Sequence, residues 1–170
     1  MKTFIIGLIV GVLLVPLALY LYFQYGGAPV AASAPPMPLE KFLAGTALRA
    51  TLKKEAPKEI PLKADDATYA AGARIYRENC AMCHGLPNQP VSASAKGMFP
   101  PPPQLFKTEE MVTDDPPGVT FWKAKNGIRL SGMPGFSGSL SDVQLWQVSL
   151  LLAHADKLPA STQEILSRTN

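Results

Sequence analysis

Between Lys2 and Glu40 this chain carries no charged side chain, and inside that stretch Phe4 to Phe23 (FIIGLIVGVLLVPLALYLYF) is an apolar run of twenty residues. A helix rises 1.5 Å per residue, so twenty residues match the roughly 30 Å of a bilayer's hydrocarbon core. The run is therefore expected to span a membrane. A cleaved leader has a shorter apolar core, typically about 7 to 15 residues, with small residues directly after it. Here Ala32-Ser33-Ala34 lies well past the run, and Pro35 and Pro36 follow at once. A retained anchor over residues 1–25 is the reading adopted. Lys2 is the only charge before the span, and the positive-inside rule puts that end in the cytoplasm and the rest of the chain outside it. Tyr20, Tyr22 and Tyr25 suit the headgroup belt. No ionisable residue lies within the span, so it offers no ion or proton path and its role is anchoring.

What remains of the 170 residues holds one folded domain. Seventeen prolines and thirteen glycines argue against long strands. Residues 26–38 (GGAPVAASAPPMP) cannot build a core and read as a tether. Residues 26–64 as a whole are assigned to a linker. Within it Phe42 to Lys54 has the pattern of a short amphipathic helix, which leaves two placements open, on anionic headgroups or on the folded domain. The domain is placed at 65–158 and a tail at 159–170. Asp65-Asp66 suits a helix start, with Tyr69, Gly72, Ala73, Tyr76 and Cys80 on one face of a helix over 67–80. Ser141 to Gln144 has the form of a capping box, opening a helix from Asp142 to about Ala155 with Val143, Trp146 and Leu150 on its buried stripe. A shorter helix, Val119 to Asn126, is expected to close on Gly127 as a left-handed cap. No credible strand and no internal repeat appears, so the fold class is all-α.

The formal net charge of +3 is unevenly placed. Residues 40–63 hold six basic against three acidic side chains, whereas 65–158 hold eight against nine. A basic linker beside a near-neutral domain is not the aromatic-interleaved basic face that nucleic acid requires. No nucleic-acid partner is expected.

The chemistry is carried by Cys80-Ala81-Met82-Cys83-His84, the pattern of covalent haem attachment. One helical turn between the thiols sets both sulfurs against the two vinyl groups, and the adjacent histidine meets the iron. A structural zinc site needs four ligands, and His154 is the only other histidine. A thioredoxin-like pair needs its CxxC at a helix start after a strand, whereas here it ends a helix. The cofactor expected is one haem c. For the sixth position on iron, Met133 stands between Gly132 and Pro134 in a stiffened loop. Met98 is its chief competitor and Met111 a more distant one.

From about Asp65 to Pro159 the chain resembles the class I single-haem cytochromes c, above all the bacterial membrane-anchored ones with an FPPPP loop (Phe99 to Pro103) and a KNGI…GMP loop (Lys125 to Pro134). The resemblance implies an all-α domain whose first and last helices cross at the haem edge, and electron transfer outside the cytoplasmic membrane. It also implies a proline carbonyl accepting from the proximal histidine and a leucine packed on the ring, which match Pro103 and Leu105. Which of Pro100 to Pro103 serves stays open. Trp122 and Arg129 each have two readings, as partners of the haem propionates or as ordinary packing and solvated surface. Gly72, Tyr76 and Trp146 read as core at the helix crossing, and His154 as a solvated or dipole-facing residue at a helix end.

These residues point to a membrane-anchored electron carrier, with His84 and Met133 as the iron ligands, Cys80 and Cys83 as thioether attachments, and redox proteins as partners. No small-molecule substrate is expected, because a thioether on the sixth site occupies the position of reaction. A haem-bearing subunit of an oxidase or dehydrogenase complex shares this chemistry. A haem enzyme or gas sensor would require the sixth site to be open. The expected location is the cytoplasmic (inner) membrane, single-pass, with the haem domain on its periplasmic side.

Overall fold

The computed structural model describes residues 1–168. Two compact units divide it, Met1–Leu43 and the chain from Ala44 on. In the first, α1 (Lys2–Gln24) is a continuous helix that includes Pro16 and buries none of its residues. It is long and apolar enough to cross a membrane. After it, α2 (Glu40–Glu55) begins in the first unit and runs into the second.

The second unit is built on α3 (Asp66–Asn79), α4 (Ala81–His84), α5 (Ala93–Lys96), α6 (Pro117–Asn126), α7 (Asp142–Ala153) and α8 (Ala160–Ser167). Among the described residues there is no strand, as the proline and glycine content requires. Capping explains where the main helices start. The Asp65 carboxylate accepts the Thr68 N–H at 2.9 Å, satisfying one of the orphan donors at the head of α3. Thr68 holds that carboxyl below its ordinary value, chiefly through this backbone hydrogen bond. At α7 the capping box is complete: Ser141 Oγ accepts from Gln144 N–H, and the Gln144 amide oxygen accepts from Ser141 N–H at 2.9 Å. Pro116 and Pro117 open α6, where a missing N–H costs nothing. Gly127 ends α6 at φ +70°, ψ −176°. The φ is positive as expected, but the extended ψ is not the left-handed helical cap, and this region of backbone space is essentially confined to glycine.

α7 lies between α3 and α6, and α8 packs on the other side of α3. Gly72 makes the α3–α7 crossing possible, because a Cβ there would overlap the Gln147 carbonyl and press on Leu151 Cβ. Burial on two sides changes the pattern expected from a single stripe. In α7 the residues Leu145, Trp146, Val148, Leu150, Leu151 and Leu152 are all buried, while Val143 is 52% exposed. Val143 sits in the first turn and was expected inside. Trp146 stacks on Phe121 of α6, with centroids 4.3 Å apart.

Two segments set aside as appendages contribute to this body. Beyond Pro159, where a tail was expected, α8 buries Thr162 and Leu166. Arg77 of α3 donates to the carbonyls of Ile165, Leu166 and Arg168 at the end of α8, where a cation opposes the negative end of the helix dipole. On the linker side, the Pro57 carbonyl lies against Gly118, and Leu62 packs against both hydrophobic clusters. The expected helix within the linker exists as α2, and none of its residues is buried.

Candidate haem-binding site

Cys80 closes α3 and opens α4, so that Cys83 and His84 follow on a single helical turn. Each carbonyl from Cys80 to Gly85 finds a donor. Cys80 O accepts from His84 N–H at 2.9 Å and Ala81 O from Gly85 N–H at 2.9 Å. Met82 O accepts from Ser92 Oγ at 2.6 Å, and Cys83 O from Gln104 Nε2 at 3.0 Å. His84 O accepts from Leu105 N–H at 3.1 Å, and Gly85 O from the Tyr76 hydroxyl at 2.8 Å. Four-residue helices have little stability of their own. Here donors from α3, the α5 cap and the proline loop fix the turn from outside.

The proline loop also sets the histidine. His84 Nδ1 lies 2.8 Å from Pro103 O, so Nδ1 carries the hydrogen and Nε2 keeps the lone pair that could bind a metal. Burial lowers the His84 pKa from its ordinary value, against the opposing pull of the Pro103 carbonyl. A neutral imidazole is the form that binds metal. Gln104 holds the loop in place: it is buried, and its Nε2 donates to Pro102 O at 3.2 Å as well as to Cys83 O. Nothing in the sequence singled it out, since one glutamine after a proline run has no distinguishing pattern. Leu105 is buried in the main core cluster beside this turn.

Both cysteines are free thiols, half-buried. Burial, with Cys83 as a lesser cause, pushes the Cys80 thiol up to about 12, opposite to the low pKa of reactive or metal-bound thiolates. Among the described residues no three His, Cys, Asp or Glu gather as a metal cluster. Two thiols one turn apart, followed by an oriented imidazole, fit the donor set of a covalently attached haem. Cys80 and Cys83 would carry the thioethers and His84 the iron.

Met133 lies in the loop after α6. Ile128 N–H donates to Met133 O at 3.1 Å, Met133 N–H to Ser131 Oγ at 3.2 Å, and Ser131 Oγ to Ile128 O at 2.7 Å. Beyond it Phe136 N–H donates to Ala124 O at 2.9 Å, so the loop is braced before and after Met133. Met98 rests on it, its methyl directly against Gly132. Trp122 has a partner other than the one considered: its indole N–H donates to Glu55 Oε2 at 3.2 Å, which ties the end of α2 to α6. Arg129 is exposed and makes no hydrogen bond or ion pair among the described residues. His154 Nδ1 lies 2.9 Å from Leu150 O and its ring sits against Tyr69. A cavity of about 300 Å³ adjoins His84, lined by Gly85, Leu86, Gln104, Phe106 and Lys107 among others. Neither cysteine and no residue of the Met133 loop borders it, so it is not the space between His84 and Met133.

Residues 67–150 match the family model described as cytochrome c oxidase, cbb3-type, subunit III. No curated protein sequence matches the chain. Among solved structures, the chain is similar to one from the reducing HAO-like protein complex of Kuenenia stuttgartiensis, with a TM-score of 0.50 and 22% sequence identity. That similarity covers 62% of this chain and 54% of the other. It speaks for a shared fold. With an all-helical body, the attachment turn held by the proline loop, and the family match running from α3 into α7, the chain contains a c-type cytochrome haem domain.

Proposed function

We propose that this protein is a membrane-anchored c-type cytochrome that passes single electrons between redox proteins through one covalently bound haem, with His84 and Met133 on the iron. The observation that carries the reading is His84 Nδ1 held 2.8 Å from Pro103 O on a turn whose carbonyls are all satisfied. That arrangement fixes tautomer and ring orientation before any iron is bound. A haem held there supplies one-electron chemistry between ferrous and ferric iron, and a His/Met pair favours the ferrous form and raises the potential. The two thiols retain the group, the imidazole presents Nε2, and the braced loop presents the Met133 thioether without further ordering. Lys2 and the apolar α1 support an inner-membrane anchor with the haem domain on the periplasmic side.

Optical spectra of the full chain in detergent test this, taken oxidised, reduced, and reduced under carbon monoxide. The expected result is one haem per chain, an iron–thioether charge-transfer band that disappears in Met133→Ala, and no response to carbon monoxide in the wild type. Ready carbon monoxide binding by the wild type would overturn the carrier reading in favour of an enzyme or sensor.

A second reading is that the chain works as a fixed subunit of an oxidoreductase complex. It is favoured by the match of residues 67–150 to a model named for an oxidase subunit. Copurification in mild detergent separates the two: a stoichiometric partner that survives salt supports the subunit, and a monodisperse chain supports the carrier.

A further inference from the structure

One short segment touches both halves of the candidate iron site. At one end Met98 places its methyl against Gly132, the residue before Met133, so closely that a Cβ on Gly132 would overlap it. At the other end Pro103 O meets His84 Nδ1 at 2.8 Å. Between them lie Phe99 and the four prolines 100–103, whose rings fix φ and leave the backbone little freedom to change length. The segment is tied down at both ends: Met98 N–H donates to Ala95 O at 3.3 Å behind the α5 cap, and Gln104 Nε2 holds Pro102 O and Cys83 O.

We propose that Met98 is a positioning residue for Met133, a strut by which the stiff proline segment sets the Met133 loop at a fixed spacing from His84. Met98 is half-buried, not lost in the core. Its long unbranched side chain reaches a glycine, where it meets backbone directly and transmits position without a flexible side chain in between. The loop's own hydrogen bonds fix its shape, through Ile128 with Met133 and Ser131 with Ile128. Phe136 N–H and Ser137 N–H, which donate to Ala124 O and Lys125 O, tie its far end to α6; contact with Met98 is what references it to the proline segment and so to α4. The role rests on the proposal that Met133 is the sixth ligand. It differs from Met98 being a ligand itself, since a strut needs only bulk whereas a ligand needs sulfur.

The test uses the full-length haem-loaded protein as wild type, Met98→Ala, Met98→Leu and Met133→Ala. The readouts are the ferric charge-transfer band and the rate at which cyanide displaces the sixth ligand. Circular dichroism checks that each variant is folded. Met98→Ala is expected to displace its ligand about tenfold faster, as local opening of a less supported loop becomes easier. Met98→Leu is expected to keep the band and return close to the wild-type rate. An unchanged rate in Met98→Ala, with the band intact, overturns the strut and leaves the His/Met reading standing. Loss of the band in Met98→Leu but not in Met133→Ala makes Met98 the ligand and overturns both. A wild type without the band overturns the His/Met reading on its own.

Discussion

At the residue scale, the site depends on side chains that do not belong to the attachment motif. Gln104 is the chief of these, since its amide serves Cys83 O and Pro102 O from a buried position. Leaving half-buried carbonyls without their donor costs about 1–3 kcal/mol at most. Gln104→Ala is therefore expected to lower the unfolding free energy by about 1–3 kcal/mol, and chemical denaturation of the folded protein measures it as a lower midpoint at unchanged slope. Asp65 gives a pH-dependent case. Its pKa is lowered from 3.8 by the Thr68 hydrogen bond, so its capping contribution is whole above about 3.8 and is lost as pH falls through the depressed folded value. Asp65→Asn, which caps without charge, is expected to flatten that part of the Tm–pH curve, whereas Asp65→Ala lowers Tm at neutral pH. A wild-type Tm that does not fall between pH 4 and the acid limit faster than that of Asp65→Asn would contradict this. Cys80, Cys83 and His84 were singled out in the sequence because their spacing is itself the motif. Gln104 and Ser92 were not, because their partners are carbonyls brought near only by folding.

At the element scale, α3 and α7 were foreseeable because each carries its own start signal and neither needs a neighbour to be recognised. What periodicity missed was the number of neighbours. A helix covered on two sides buries more than one stripe, so Ile75 and Val148 are inside while Val143, on the expected stripe, stands in solvent. The four-residue helix α4 had no local signature and is held by tertiary donors, Tyr76 and Gln104, whereas α5 is opened by its own Ser92 cap. The α3–α7 crossing sets a sharp expectation. Gly72→Ala drives a methyl into the Gln147 carbonyl, and overpacking of this kind costs about 1–3 kcal/mol or more. The backbone cannot move aside as a side-chain tip would, so the two helices must separate. Thermal unfolding of Gly72→Ala should show a clear loss, and an unchanged Tm would mean that the crossing is looser than the structure has it.

At the scale of the whole molecule, the domain reaches further along the chain than composition suggested. α8 and the Pro57–Leu62 stretch pack on the same body as the attachment turn. Leu166 is 1% exposed, and Leu166→Ala is expected to cost roughly 2–5 kcal/mol through the cavity it leaves, measured by denaturant titration. Were residues past Pro159 a loose tail, that substitution would be neutral. The apolar α1 carries its own expectation. The full chain should stay with membranes through alkaline carbonate extraction, and a chain beginning after Tyr25 should be released. The amino-acid sequence by itself determined the apolar first helix, the CxxCH motif, the capped helices and the all-α class, because each is written in neighbouring residues through spacing, charge or a local hydrogen bond. Tertiary structure alone decided which proline carbonyl meets His84, that Trp122 turns to Glu55, that α8 joins the core, and that Met98 bears on Gly132. Each of these joins residues far apart in the chain, and their contact depends on the packing of helices whose separate patterns carry no record of one another.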